Sequence, residues 1–112
     1  MEKPVVGEVV AIAFPFSDLS GSKLRPALVL AALPGNDLIL CQITSRFRAD
    51  RLSLPIEAGS FEEGALPVAS LVRCGKIFTA DARIIQKRLG LLKTSAMNQI
   101  VTTVVSLLGK NL

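Results

Sequence analysis

An arginine stands directly before a proline in residues 21–30, "GSKLRPALVL". Lys23 and Arg25 follow a small polar loop, and an apolar run follows Pro26. Proline favours an extended conformation in the residue before it, so we expect Arg25 at the root of a strand with its backbone fixed. Two cations beside backbone donors can bind phosphate. A solvated hairpin loop is the alternative, and composition alone favours it.

A second group of polar residues follows an apolar run in "ITSRFR", residues 43–48. It consists of two hydroxyls and two arginines around a phenylalanine: Thr44, Ser45, Arg46, Phe47 and Arg48. Cations interleaved with an aromatic ring can hold the phosphates of a nucleic-acid strand while a base stacks on the ring. The alternative is a charged sheet edge with Phe47 turned into the core, and residue types do not decide between the two.

A third cation, Arg73, ends the apolar stretch of "LVRCGK", two residues before Gly75, which tolerates unusual backbone angles. Residue type alone favours a surface salt bridge for this arginine.

The chain contains no histidine. This removes the usual acid–base group at neutral pH and any Ser–His or Cys–His nucleophile pair. The two cysteines, Cys41 and Cys74, are too few for an ordinary structural zinc site, and we expect them to be reduced thiols. We predict no metal and no cofactor, so the chemistry must come from arginine, lysine, carboxylates, hydroxyls or thiols.

Length and charge narrow the class of protein. The 112 residues predict one compact unit spanning 1–112, and the net charge of +4 favours a polyanionic partner such as nucleic acid, with a membrane surface as the alternative. No stretch approaches the roughly 18 apolar residues of a membrane span. The N-terminus lacks the features of a secretory signal, so we expect a cytoplasmic protein without a membrane partner.

The elements that must position these residues are mostly strands. Apolar, β-branched runs predict strands at residues 7–14, 26–33 and 37–45, the last two joined by a "PGND" turn. Shorter strands are expected at 52–56, 65–73 and 76–79, with residues 57–64 as a loop. A helical turn is an option within 82–88.

The chain ends in a helical pattern. Six apolar residues recur at helical spacing on one face: Met97, Ile100, Val101, Val104, Val105 and Leu108. Five or six short strands with one docked helix predict a mainly β fold, a small closed or half-closed β-barrel with a C-terminal helix.

Four segments in order, "GEVVAIAFPFSDLSGSKLRPALVL", "CQITSR", "GALPVASLVRCGKIFT" and "ARIIQKRLGLL", resemble the MazF/PemK (Kid) toxins of bacterial toxin–antitoxin pairs. The resemblance covers nearly the whole chain, and its most specific part is the Phe-Pro-Phe step followed by Gly-Ser and Arg-Pro. It implies an SH3-like barrel with an appended helix, a homodimer and a cognate antitoxin as partner.

The resemblance also implies an activity, the metal-independent cleavage of single-stranded RNA at short sequence motifs. Attack by the 2′-hydroxyl would leave a 2′,3′-cyclic phosphate and a 5′-hydroxyl. Arg25 and Thr44 correspond to the catalytic pair, with Ser45 and Arg73 in support. The Kid-like branch of the family has Arg-Cys-Asp where this chain has Arg73-Cys74-Gly75. Because the carboxylate is missing here, the resemblance implies that catalysis depends more on Arg25 and Thr44. The expected RNA contacts are Phe16, Ser22, Lys23, Arg46, Phe47 and Arg48.

A function of another class remains open. The same barrel can be a non-catalytic binder, either a gyrase poison like the related CcdB toxins or an inactive homologue that binds only antitoxin or RNA. The C-terminal "LLGKNL" lacks an aromatic residue of the kind expected for CcdB action.

Overall fold

The computed structural model describes residues 2–15 and 22–110. Its seven strands form one antiparallel sheet in the order β4-β6-β3-β2-β1-β7-β5. The strands are β1 (Glu8–Pro15), β2 (Ser22–Ala32), β3 (Asp37–Thr44), β4 (Ser53–Ile56), β5 (Phe61–Gly64), β6 (Ser70–Asp81) and β7 (Ile85–Leu92), followed by helix α1 (Thr94–Gly109). The mainly β fold with a C-terminal helix confirms the prediction from sequence.

The sheet is curled into a half-barrel. Strands β4 and β5 lie at its opposite edges, yet they are consecutive in the chain and only residues 57–60 join them. Four residues span at most about 14 Å. The two edges must therefore come close together, which a flat sheet of seven strands does not allow.

The sheet is covered by apolar side chains on both faces. On one face Val9, Leu28 and Cys41 belong to a core cluster that includes residues of α1. On the other face their neighbours Val10 and Val29 pack with a second buried group. This double burial explains why β1 and β2 read as continuous apolar runs rather than as alternating patterns.

Helix α1 docks with only part of its predicted apolar face. Met97, Ile100 and Val104 are buried in the core cluster, each contributing on the order of 1.5–3 kcal/mol if fully buried. Val105 and Leu108 remain 62% and 63% exposed, and Val101 is 40% exposed. The predicted stripe is thus divided into a docked half and an outward-facing half. No helix within the described residues is long and apolar enough to cross a membrane.

Three predicted elements differ in the structure. Strand β6 is one strand of twelve residues where two were expected, and residues 65–69 precede it without strand structure. Strand β5 lies inside the predicted loop 57–64, where Phe61 is buried. The helical turn is limited to a 3₁₀ turn at Ala82–Ile84, after which β7 pairs with β1. In each case pairing with a distant strand overrides the local pattern.

Strand β2 begins four residues before the predicted start, so Arg25 and Pro26 lie within it. The ladder between β1 and β2 extends to Pro15–Ser22, whereas the ladder between β2 and β3 ends at Ala27–Gln42. At Pro26, β2 therefore has a hydrogen-bonded neighbour on one side only. The missing backbone donor of proline is tolerated there as it is at a sheet edge.

Two glycines meet where β5 pairs with β7. A Cβ atom added to Gly64 would lie 2.2 Å from the carbonyl oxygen of Leu89 and 2.6 Å from the Cα atom of Gly90. One added to Gly90 would lie 2.6 Å from the carbonyl oxygen of Glu63. Because the obstructing atoms belong to the backbone, neither position has room for a side chain.

We predict that Gly64→Ala destabilises the fold more than Gly35→Ala. Both glycines have positive φ, +71° and +74°, but nothing lies within 4 Å of a Cβ at Gly35. Gly35→Ala is expected to cost about 1–2 kcal/mol from backbone conformation alone, and Gly64→Ala about 1–3 kcal/mol more from overlap. Chemical denaturation of the two variants measures the difference, and equal losses would contradict the close approach.

Candidate active site

The register of β2 and β3 brings Arg25 and Thr44 together. Their ladder ends at Ala27–Gln42, and the same register two residues further sets Arg25 across from Thr44. Residues that face each other across two antiparallel strands project to the same side of the sheet. Sequence positions 19 residues apart thus become neighbours at one end of a strand pair.

Both residues line a cavity of about 420 Å³ at this end of the half-barrel. Its polar lining consists of Lys23, Arg25, Thr44, Ser45, Arg46, Ser70 and Lys87. Its apolar lining consists of Ala11, Leu24, Pro26, Ile43, Leu66, Pro67, Val68 and Leu89. Four of these side chains are cations, and among the described residues no carboxylate lines the cavity. The arrangement suits an anionic ligand with an apolar part.

The hydroxyl of Thr44 is oriented by its own loop. Thr44 is partly buried, and its Oγ1 accepts a hydrogen bond from the backbone N–H of Arg46 at 3.1 Å. A threonine hydroxyl has one proton and two lone pairs. Since this bond uses a lone pair, the proton remains available to a ligand oxygen.

The structure brings together five of the ten residues that the sequence singled out. Lys23, Arg25, Thr44, Ser45 and Arg46 line the cavity. Phe16 lies outside the described residues, and of Ser22 only the backbone, at the start of β2, is described.

Phe47 and Arg48 lie in the segment after β3 but do not line the cavity. Phe47 is 86% exposed, so the alternative that turned it into the core is wrong. Arg48 forms an exposed ion pair with Asp50, at 3.6 Å from Nε to Oδ2. Because solvent screens an exposed pair of this kind, it is weak and does not remove Arg48 from other partners.

Arg73 lies beside the cavity rather than in it. It is two residues along β6 from Leu71, which pairs with Thr44, and it pairs with Ser53 of β4. A hydrogen bond from the Ser53 side chain, then the Leu52 backbone and the charges of Arg48 and Arg73, hold the pKa of Asp50 below its usual value. Arg73 therefore shares the sheet face of Thr44 but lies close to this carboxylate.

Gly75 does not have the unusual backbone angle that the sequence allowed. The glycines with positive φ in the described residues are Gly7, Gly35 and Gly64. Gly75 continues β6 in ordinary extended structure, and a Cβ atom there would contact only the end of the Leu52 side chain, at 3.3 Å.

The cysteines are free thiols in the core. Burial, and secondarily the proximity of Cys74, raise the pKa of Cys41 to about 12, and burial likewise raises the pKa of Cys74. Nucleophilic attack requires the thiolate. Neither cysteine is thus suited to act as a nucleophile near neutral pH, and the polar chemistry of the site rests on cations and hydroxyls.

Two polar residues of the cavity were missed from the sequence. Lys87 lies on β7, in the segment where a helical turn was an option, so its position across the sheet from Arg25 was not foreseen. Ser70 begins β6 inside a longer predicted strand. Lys87 could have been predicted as a site residue only from the pairing of β7 with β1, and local periodicity does not reveal that pairing.

A curled antiparallel sheet with a C-terminal helix and a cationic cavity at one end defines a small, mainly β protein. The chain belongs to the family of PemK-like, MazF-like toxins of type II toxin–antitoxin systems, whose family model matches residues 6–108. No curated protein sequence is significantly similar to it.

Solved structures share the fold. The chain is similar to MazF in a MazE–MazF complex from Deinococcus radiodurans, with a TM-score of 0.79, 22% identity, and coverage of 96% of this chain and 98% of that one. It is also similar to an endoribonuclease from a mycobacterial species, with a TM-score of 0.74, 20% identity, and coverage of 97% of this chain and 94% of that one. A third similar structure is a mycobacterial endoribonuclease in complex with its cognate antitoxin, with a TM-score of 0.76, 18% identity, and coverage of 95% of each chain.

We predict that Thr44→Val loosens the segment after β3, whereas Thr44→Ser does not. Valine keeps the shape of threonine but removes the acceptor for the Arg46 amide, and serine keeps the acceptor. Hydrogen exchange of the Arg46 amide measures the effect without any reference to activity. Faster exchange in Thr44→Val alone is expected, and equal exchange in both variants would show that this hydrogen bond does not hold the segment.

Proposed function

We propose that this protein is a toxin endoribonuclease that cleaves single-stranded RNA at short sequence motifs, and that residues 1–112 act as one unit. The observation that carries the proposal is that Arg25 and Thr44 line the same cationic cavity, just beyond the end of the ladder between β2 and β3. Membership of the toxin family supports it. So does the similarity to structures that are described as endoribonucleases.

The proposed reaction needs no nucleophile from the protein. The 2′-oxygen of RNA forms a bond to phosphorus while the bond from phosphorus to the 5′-oxygen breaks. The 2′-hydroxyl releases its proton to solvent, and the 5′-oxygen takes up a proton as it leaves. The products are a 2′,3′-cyclic phosphate and a 5′-hydroxyl. Without a histidine, the protein must accelerate this step by positioning and by stabilising negative charge.

Arg25 and Thr44 supply these two effects. The guanidinium of Arg25 offers a planar fork of N–H donors that fits two phosphate oxygens, and its charge offsets the charge that develops on the pentacovalent phosphorane. The Thr44 hydroxyl, already accepting from the Arg46 amide, donates its proton to another phosphate oxygen. The proposed reaction is independent of metal because the guanidinium of Arg25 provides the positive charge.

The other polar residues bind the RNA on either side of the cleaved bond. Ser45, Lys23 and Arg46 line the same cavity, and we assign them contacts with neighbouring sugar and phosphate groups. Arg48 and the exposed ring of Phe47 continue this surface, where a base can stack on the ring. Phe16, Ser22 and Arg73 remain proposed contacts or supports on the strength of the family resemblance.

We predict that Arg25→Ala abolishes cleavage of a mixed-sequence RNA while the fold survives. Arg25 is exposed, so its loss leaves no buried gap. Removal of one such preorganised charge is expected to slow cleavage by about 10²–10³-fold or more. Arg25→Lys keeps the charge but loses the fork, and it should fall between wild type and alanine. Lys93→Ala, which removes a charge from an exposed residue outside the cavity, serves as the control.

The assay is run with and without a chelator, and the ends of the products are identified by mass. Intact RNA after long incubation with wild-type protein under both conditions would end the enzyme proposal. Growth inhibition accompanied by DNA breaks and stable transcripts would favour the gyrase-poison alternative instead.

We also propose a cognate antitoxin as the physiological inhibitor and the cytoplasm as the place of action. The family definition supports the antitoxin, as does a similar fold that is described in complex with its cognate antitoxin. We propose the cytoplasm because the proposed substrate, messenger RNA, is found there.

We propose further that the active form is a homodimer, which is the assembly that the family resemblance implies. The outward-facing apolar half of α1, with Val101, Val105 and Leu108, is available for such a contact. Light scattering should give twice the chain mass of 11.9 kDa for wild type. A charge buried at the contact is costly, so Val105→Glu should give the single mass and Val5→Glu the doubled one. A monomeric wild type would refute the dimer, and a dimeric Val105→Glu would refute its location.

A further inference from the structure

Lys87 reaches the cavity from the side opposite to Arg25. It pairs with Ala11 of β1, and Ala11 pairs in turn with Pro26 of β2. The three residues form a row across β7, β1 and β2, and neighbouring strands are about 4.8 Å apart, so the backbone of Lys87 is about 10 Å from that of Pro26. Arg25 precedes Pro26. The two cations thus border one cavity on strands that are separated by β1.

Lys87 differs from the cation beside it. Arg88 forms an ion pair with Glu8 at 3.4 Å and donates to the backbone carbonyl of Glu2, so it ties β7 to the N-terminal segment. Lys87 is exposed, and within residues 2–15 and 22–110 it has no ion pair or side-chain hydrogen bond. An exposed ammonium group on the wall of a cavity that no carboxylate of the described residues lines is available to an anionic ligand.

Three apolar side chains of the same cavity form what we call its apolar lip. It consists of Leu24, Leu66 and Val68, of which Leu24 and Val68 are about half exposed, at 49% and 57%. Ser70, which also lines the cavity, is buried and donates its hydroxyl proton to the carbonyl of Val68 at 3.0 Å. The Ser70 oxygen can therefore only accept. An apolar surface with one buried acceptor suits a flat group that carries N–H donors, as nucleobases do.

We propose that Lys87 and this lip form a subsite for the nucleotide next to the cleaved bond. Lys87 binds the phosphate that neighbours the one held by Arg25, and the lip receives the adjacent base. This inference rests on the proposed ribonuclease function. An extended RNA strand carries one charge per nucleotide, so two cations on separated strands engage two successive phosphates.

The first experiment compares Lys87→Met with Lys93→Met. Methionine preserves the length of the apolar stem of lysine and removes the ammonium group, and Lys93 lies outside the cavity. The probe is a short RNA with a 2′-deoxy sugar at the cleavage site mapped with wild type, because it lacks the attacking hydroxyl. Lys87→Met should bind it about tenfold more weakly than Lys93→Met does. A plot of log affinity against log salt concentration should also be less steep for Lys87→Met than for Lys93→Met, by about 0.7, the value for one phosphate contact on a single strand.

The second experiment identifies the phosphate. Neutral methylphosphonates replace, one at a time, the phosphates on either side of the cleaved bond in the same RNA. At one neighbouring position the replacement should weaken binding to wild type by about tenfold and leave binding to Lys87→Met unchanged, while Lys87→Arg behaves as wild type. A merely structural role for Lys87 would lower affinity equally for all of these RNAs.

The outcomes separate this inference from the function on which it rests. If wild type neither binds nor cleaves RNA, the proposed function itself is wrong. If wild type cleaves RNA but Lys87→Met matches Lys93→Met in affinity and salt slope, the function stands and the subsite is wrong. The subsite is also wrong if the methylphosphonate replacement weakens binding to wild type and to Lys87→Met equally at both neighbouring positions.

Discussion

The pairing of β2 with β3 is the constraint on which the site depends. A shift of one residue in this register would turn Thr44 to the other face of the sheet and away from Arg25. The register is fixed because both strands bury side chains on both faces, with Leu28 and Cys41 on one and Val29 and Leu40 on the other. A slip would bury the wrong set on each side, so the core that stabilises the fold also aligns two polar residues at its end.

The sequence predicted the elements whose signals are local. Strands β1 and β3, the turn between β2 and β3, and helix α1 follow from apolar runs, turn residues and helical spacing. Strands β5 and β7 did not follow, because exposed polar residues interrupt their apolar patterns, as Glu62 and Glu63 do in β5 and Lys87 and Arg88 do in β7. What makes these segments extended is pairing with each other and with β1. The shape of the half-barrel could be predicted, but its closing strands could not.

The candidate site divides in the same way. Pro26 indicated that the backbone of Arg25 is extended, and the structure agrees, although the strand begins earlier than the proline suggested. The family resemblance named Arg25 and Thr44 as a catalytic pair, but their placement in one cavity could not be predicted from local patterns, which carry no information on register. The environment of Arg73 depends on Asp50, which lies in a loop and became its neighbour only through the pairing of β4 with β6. Lys87 depends on two successive strand pairings, beyond the range of any local signal.

The contact between Gly64 and Gly90 affects how inactive variants of this protein are to be interpreted. Strand β5 leads directly into residues 65–69, which carry Leu66 and Val68 of the apolar lip, and the amide of Ala65 donates to the carbonyl of Leu89. A side chain at either glycine would displace this wall although neither glycine lines the cavity. Under the proposed function, a genetic selection for cells that survive expression of the protein would therefore recover these two positions together with Arg25. Only a measurement of folding on each survivor distinguishes lost architecture from lost chemistry.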